Sequence, residues 1–200
     1  MNRRGLMTLG LSLLLPVIAQ AQEHPHFLPS KDVMVTYRLS GGDMGNGAQK
    51  LRVTYADGGQ RERIDYFRWV EANYPFSALV IDRAADKLLI INGEAKAYIE
   101  TNIGKLMTPD MRFASPNMHY TRLAITAVAD QPCTDWTIQP LDIKVPGGTV
   151  CVTDGGLILR VTQTGIATPG MVALSVAYGS PPDSAFAVPE GFTRKELPSQ

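Results

Sequence analysis

From Asp32 onward, apolar residues repeatedly alternate with polar ones, and turn formers cut the alternation into short runs. A period of two puts successive side chains on opposite faces of a pleated strand, so a chain written this way folds as sheet with one face buried. Residues 32–39 set Val33, Val35, Tyr37 and Leu39 on one side, and Leu51, Val53 and Tyr55 repeat the pattern in the next run. Asp57-Gly58 then marks a turn into residues 61–67, and Asn92-Gly93 a turn between 87–91 and 95–100. Asp154-Gly155 marks a third, leading into 157–164; these dipeptides tolerate positive φ and favour hairpins. With further strands at 77–82, 120–128, 134–139, 149–153 and 171–178, the count is about eleven. The expected fold is mainly β, mostly antiparallel.

One stretch has helical spacing. Ile103, Leu106 and Met107 follow an i, i+3, i+4 pattern until Pro109 stops it, and Met111, Phe113 and Met118 follow without strand pattern.

Residues 1–21 read as an export signal. Arg3 and Arg4 form a positive start, residues 5–18 are uncharged and mostly apolar, and Ala19-Gln20-Ala21 is a small-x-small cleavage site. The apolar stretch is shorter than the ~20 residues that cross a bilayer, and no later segment is long enough, so no transmembrane segment is expected. The expected location is the periplasm. Of 19 basic side chains, losing Arg3 and Arg4 leaves 17 against 19 acidic ones, a net charge of −2. Such a balance gives no electrostatic footprint for nucleic acid. The 179 residues left after cleavage suit one domain. The expected division is 1–21 signal, 22–31 flexible lead, 32–192 β domain and 193–200 flexible tail.

Both cysteines, Cys133 and Cys151, lie in the exported part, where the compartment is oxidising and an even count favours a bridge. A register centred on residue 142 would set them opposite each other across the loop 140–148. A metal or redox pair would need closer C-x-x-C spacing.

Catalytic chemistry has little to stand on. There is no G-x-S-x-G elbow, both thiols are committed, and His119 is the sole histidine beyond His24 and His26. The run from Gly41 to Gly47 lacks the Gly-Lys-Ser/Thr ending of a phosphate loop. No enzyme activity and no cofactor are expected. Cleavage after Ala21 would leave Gln22-Glu23-His24, whose amine, two amides and imidazole can form a square-planar nitrogen set suited to copper(II) or nickel(II), so His24 is a candidate copper ligand.

A basic feature is better defined. If Asp57-Gly58 closes the hairpin, Arg52 faces Arg63 and Thr54 faces Arg61, and Lys50, Arg52, Arg61 and Arg63 share one face. Like charges directly opposite repel unless an anion such as Asp65 offsets them. The functional reading is contact with an anionic surface; the alternative is a solvated outer face on which long side chains splay apart.

The motifs Ile81-Asp82-Arg83 to Tyr98-Ile99-Glu100, Cys133-Thr134-Asp135-Trp136 and Val150-Cys151-Val152-Thr153-Asp154-Gly155-Gly156-Leu157 together resemble a family of exported bacterial proteins. That family is similar to the LolA/LolB-like superfamily of periplasmic lipoprotein carriers. The closing Phe186-Ala187-Val188-Pro189-Glu190-Gly191-Phe192 fits its usual end. The resemblance implies a half-open barrel around an apolar cavity with a short helical lid, here Ile103, Leu106, Met107, Met111 and Phe113. It implies a non-catalytic binding protein for a hydrophobic or acylated ligand, lipid or lipoprotein. The second reading is an envelope interaction or stress-sensing module with no small-molecule ligand. The chain departs from the carriers at its front, where Pro25 and Pro29 forbid their long first helix.

Overall fold

The computed structural model describes residues 24–40, 47–105, 118–141 and 147–196. Alternation becomes twelve strands: β1 (Val33–Leu39), β2 (Lys50–Ala56), β3 (Arg61–Phe67), β4 (Ser77–Asp82), β5 (Lys87–Asn92), β6 (Ala97–Thr101), β7 (Met118–Val128), β8 (Gln131–Pro140), β9 (Gly148–Val152), β10 (Ile158–Gln163), β11 (Met171–Tyr178) and β12 (Thr193–Lys195). They form one sheet in the order β12-β6-β5-β4-β3-β2-β1-β11-β10-β9-β8-β7. Every pairing is antiparallel except β12 on β6.

The sheet is curled and stays open. Val33 and Val35 on β1 are fully buried and cluster with Val128, Cys133, Leu157 and Leu159 from the far end of the strand order, so this face is the inside of the curl. β7, the last strand, comes within contact of β11, with three strands between them in the order. Apolar side chains removed from water on this inner face supply the main driving force, at ~25 cal/mol per Å². Tyr37 shares the interior, and its hydroxyl donates to the Ile158 carbonyl at 2.6 Å, tying β1 to β10. Burial, with the Glu62 carboxylate adding to it, pushes that hydroxyl far above the usual phenol range. Glu62 itself is buried and accepts from Arg83 Nη2 at 2.6 Å.

The β2–β3 turn corrects the predicted register. Asp57, Gly58 and Gly59 all hold positive φ, so the loop takes four residues where two were expected. Arg52 therefore pairs with Asp65, Thr54 with Arg63 and Ala56 with Arg61. The same holds at β5–β6, where residues 93–96 turn and the Asn92 side chain accepts from the Ala95 amide. The β9–β10 hairpin at Asp154-Gly155 forms as expected.

Both ends of the described residues bear on the sheet. The lead segment carries buried Pro25 and Pro29, and Phe27 packs on the Trp136, Val150 and Val161 cluster. Ser30 donates to the Gly155 carbonyl, and Gly156 leaves no room for a side chain, since a Cβ would sit 2.3 Å from the Leu28 carbonyl. At the other end, Phe186 packs on Ala56, Ala78, Val80 and Leu89, so residues 181–192 cover the outer face of β2 to β5. Beyond them Thr193–Lys195 pair with β6 as β12, where the sequence predicts only a tail.

Candidate functional site

The cysteine bridge is present. Cys133 and Cys151 are joined, 18 residues apart, with Cα atoms 5.5 Å apart, and both are buried in the inner cluster. The register that carries it differs from the expected one: β8 and β9 pair Asp135 with Cys151 and Thr137 with Thr149, so the loop is centred on residue 143. The two cysteines are diagonal neighbours on one face. Beside them Arg160 Nη2 meets both Asp135 oxygens at 2.9 Å, and Thr126 Oγ1 lies 3.1 Å from Cys151 Sγ.

The predicted basic cluster assembles on the outer face, with its charges engaged. Asp65 is buried between two arginines, accepting from Arg52 Nη2 at 2.9 Å and from Arg63 Nε at 2.7 Å. Arg63 also donates through Nη1 to the Ala185 carbonyl at 3.1 Å, holding the closing segment down. Arg61 pairs with Asp57 and with Asp183 and stacks over Phe186. Its guanidinium is held above its ordinary range, chiefly by the Asp183 hydrogen bond and then by Asp57. Lys50 donates to the Ala72 carbonyl and lies 4.4 Å over the Phe67 ring. The register shift is what sets Asp65, instead of Arg63, opposite Arg52.

Of the candidate lid, Ile103 is half-buried in a short 3-10 turn, Ile103–Lys105. Leu106, Met107, Met111 and Phe113 lie outside the described residues. His24 is exposed, with its ring 6.0 Å from His26 and 6.4 Å from Tyr120, while Gln22 and Glu23 lie outside the described residues. Among the described residues no three His, Cys, Asp or Glu side chains come together as a metal site. Nor is any helix among them long and apolar enough to cross a membrane.

Two features were not predicted. The first is the open edge: β7 carries Leu123 at 50% and Ile125 at 70% exposure, and β11 carries Leu174 at 42%. The second is an outer hollow of ≈ 440 Å³ over the Arg52–Asp65–Arg63 cluster, walled by Met34 and residues 177–182. The signal for it was Pro181-Pro182 just after β11, a stiff connection that cannot continue the ladder.

No protein-family model matches the chain, and no curated protein matches its sequence. Solved structures do. An uncharacterized conserved protein from Thermus thermophilus superposes with a TM-score of 0.55 at 8% identity, over 84% of this chain and 91% of that one. MucB in the Pseudomonas aeruginosa MucA/MucB complex superposes with a TM-score of 0.51 at 15% identity, over 78% of this chain and 55% of that one, so this chain spans about half of it. The LolA superfamily protein NE2245 from Nitrosomonas europaea aligns over 80% of this chain and 91% of its own at 12% identity, but its TM-score of 0.35 is too low to carry weight. At these identities the likeness is one of fold. The chain shares with the first two a fold built on a single curled sheet that does not close.

Proposed function

We propose that this chain is a non-catalytic, exported binding protein of the periplasm that holds a hydrophobic or acylated ligand, a lipid or a lipoprotein chain, inside its half-open barrel. The observation that carries the reading is the mouth of the curl: exposed Leu123 and Ile125 on β7, with exposed Leu174 on the approaching β11. Large apolar side chains left in water at an open edge mark a contact surface. Residues 1–21 supply the export signal, and the Cys133–Cys151 bridge fits an oxidising compartment. In this reading Ile103, Leu106, Met107, Met111 and Phe113 form the lid, methionine being adaptable to ligands of varied shape.

Titration with the neutral apolar dye N-phenyl-1-naphthylamine tests it. Wild-type protein should bind the dye, and Leu106→Asp should weaken binding about tenfold while costing under about 1 kcal/mol, because lids belong to the low-stability end of a structure. Loss of several kcal/mol would make the segment a plug of the core. A wild-type protein that leaves the dye dark would end the carrier reading.

The second reading, an envelope interaction or stress-sensing module, draws on two observations. A fold neighbour, MucB, is solved in complex with MucA. The interior at β1 is filled by the protein's own Val33, Val35 and Tyr37.

A further inference from the structure

On the outside of the sheet, opposite the face used by a carrier, lies the ≈ 440 Å³ groove between β1, β2 and the residues after β11. Ligand sites run to ~300–1,000 Å³, so it has the size of one. Its walls are apolar and wet: Met34 is 41% exposed and Tyr178 53%, with Pro181 and Pro182 closing the far side. Its floor is charged. Asp65 there is buried and shared by Arg52 and Arg63, so two cations meet one anion and the floor keeps one net positive charge. Beside it Arg61 is shared by Asp57 and Asp183, one cation against two anions, and Lys50 on the other side of Arg52 adds one positive charge. Arg52 engages Asp65 through Nε and Nη2, and its Nη1 makes no hydrogen bond among the described residues. A second hollow of ≈ 120 Å³, lined by Thr36, Lys50 and Phe67, meets the first at Arg52. Arg52 thus stands between the apolar groove and a smaller, mainly polar hollow with a donor to spare.

We propose that this groove binds a long-chain carboxylate, its head on Arg52 and its chain along Met34 and Pro181. A guanidinium forms strong charge-assisted hydrogen bonds to a carboxylate, and the chain gains by covering the exposed apolar walls. A neutral head without a strong acceptor would leave the spare Arg52 donor desolvated and unpaired, and a cationic head would be repelled. The site is independent of the interior and of its lid.

Protein labelled with ¹³C at the methionine methyls, with the Met34 resonance assigned through Met34→Leu, is titrated with dodecanoate, dodecyl maltoside and dodecyltrimethylammonium below their micelle concentrations. Dodecanoate should move the Met34 resonance and the other two should not. Affinity read from the Met34 resonance should fall about tenfold in Arg52→Gln and be lost in Ala177→Trp, which fills the groove from an exposed position. Leu106→Asp should leave it unchanged, so a failure of the carrier reading is separable. An unmoved Met34 resonance, an equal response to all three amphiphiles, or undiminished affinity in Ala177→Trp would overturn the proposal.

Discussion

Replacing Arg52 and Arg63 together by methionine should cost the fold about 3–5 kcal/mol, the usual penalty for leaving a buried charge without its partners. Asp65 is 2% exposed at its side chain, and both of its oxygens are spoken for by these two guanidiniums. Taking them away strands a carboxylate between β2 and β3, and also releases the Arg63 hold on the Ala185 carbonyl. The sign of the effect separates charge from packing. Adding Asp65→Leu to the double variant should recover most of the loss, because an apolar group of similar size asks for no partner. Urea denaturation reads both steps, and a double variant within about 1 kcal/mol of wild type would show that Asp65 finds compensation elsewhere.

Removing the disulfide should cost about 3 kcal/mol, on the chain-entropy account of a cross-link spanning 18 residues. The native side sets a floor under that figure. Cys133 and Cys151 are buried at 2% and 0% exposure among Val33, Leu157 and Leu159, so Cys133→Ala with Cys151→Ala also loses two packed sulfur atoms. The wild-type protein should take up no alkylating label before reduction and two labels after reduction and unfolding. Labelling of two thiols without reductant, or a double alanine variant as stable as wild type, would remove the bridge from the account.

Strands were legible wherever burial is one-sided. β1 at Val33–Leu39 falls where alternation puts it, with Val33, Val35, Tyr37 and Leu39 buried and the residues between them exposed or half-buried, since the pleat and the buried face impose the same period. Registers were not, because a register depends on loop length and one more glycine changes it. Gly59, at φ 82°, extends the β2–β3 turn and moves every pair by two residues, which turned an expected clash of arginines into the Arg52–Asp65 pair. The bridge survived a similar error, as diagonal neighbours on one face are still within reach. β12 was invisible for a different reason: its three residues are exposed and have no alternation to show, and it is set by pairing with β6 after Phe186 has anchored the closing segment. The basic face could be read as a group of residues. The groove above it could not, since its far wall comes from residues more than a hundred positions away along the chain.

Native mass spectrometry of the protein isolated from a periplasmic extract in detergent-free buffer bears most directly on the proposed role. A carrier with an apolar interior should fly with a lipid-sized adduct that organic extraction removes and added lipid restores. A clean mass of the bare chain, with a second protein in its place as the co-purifying species, would contradict the carrier and leave the interaction module standing.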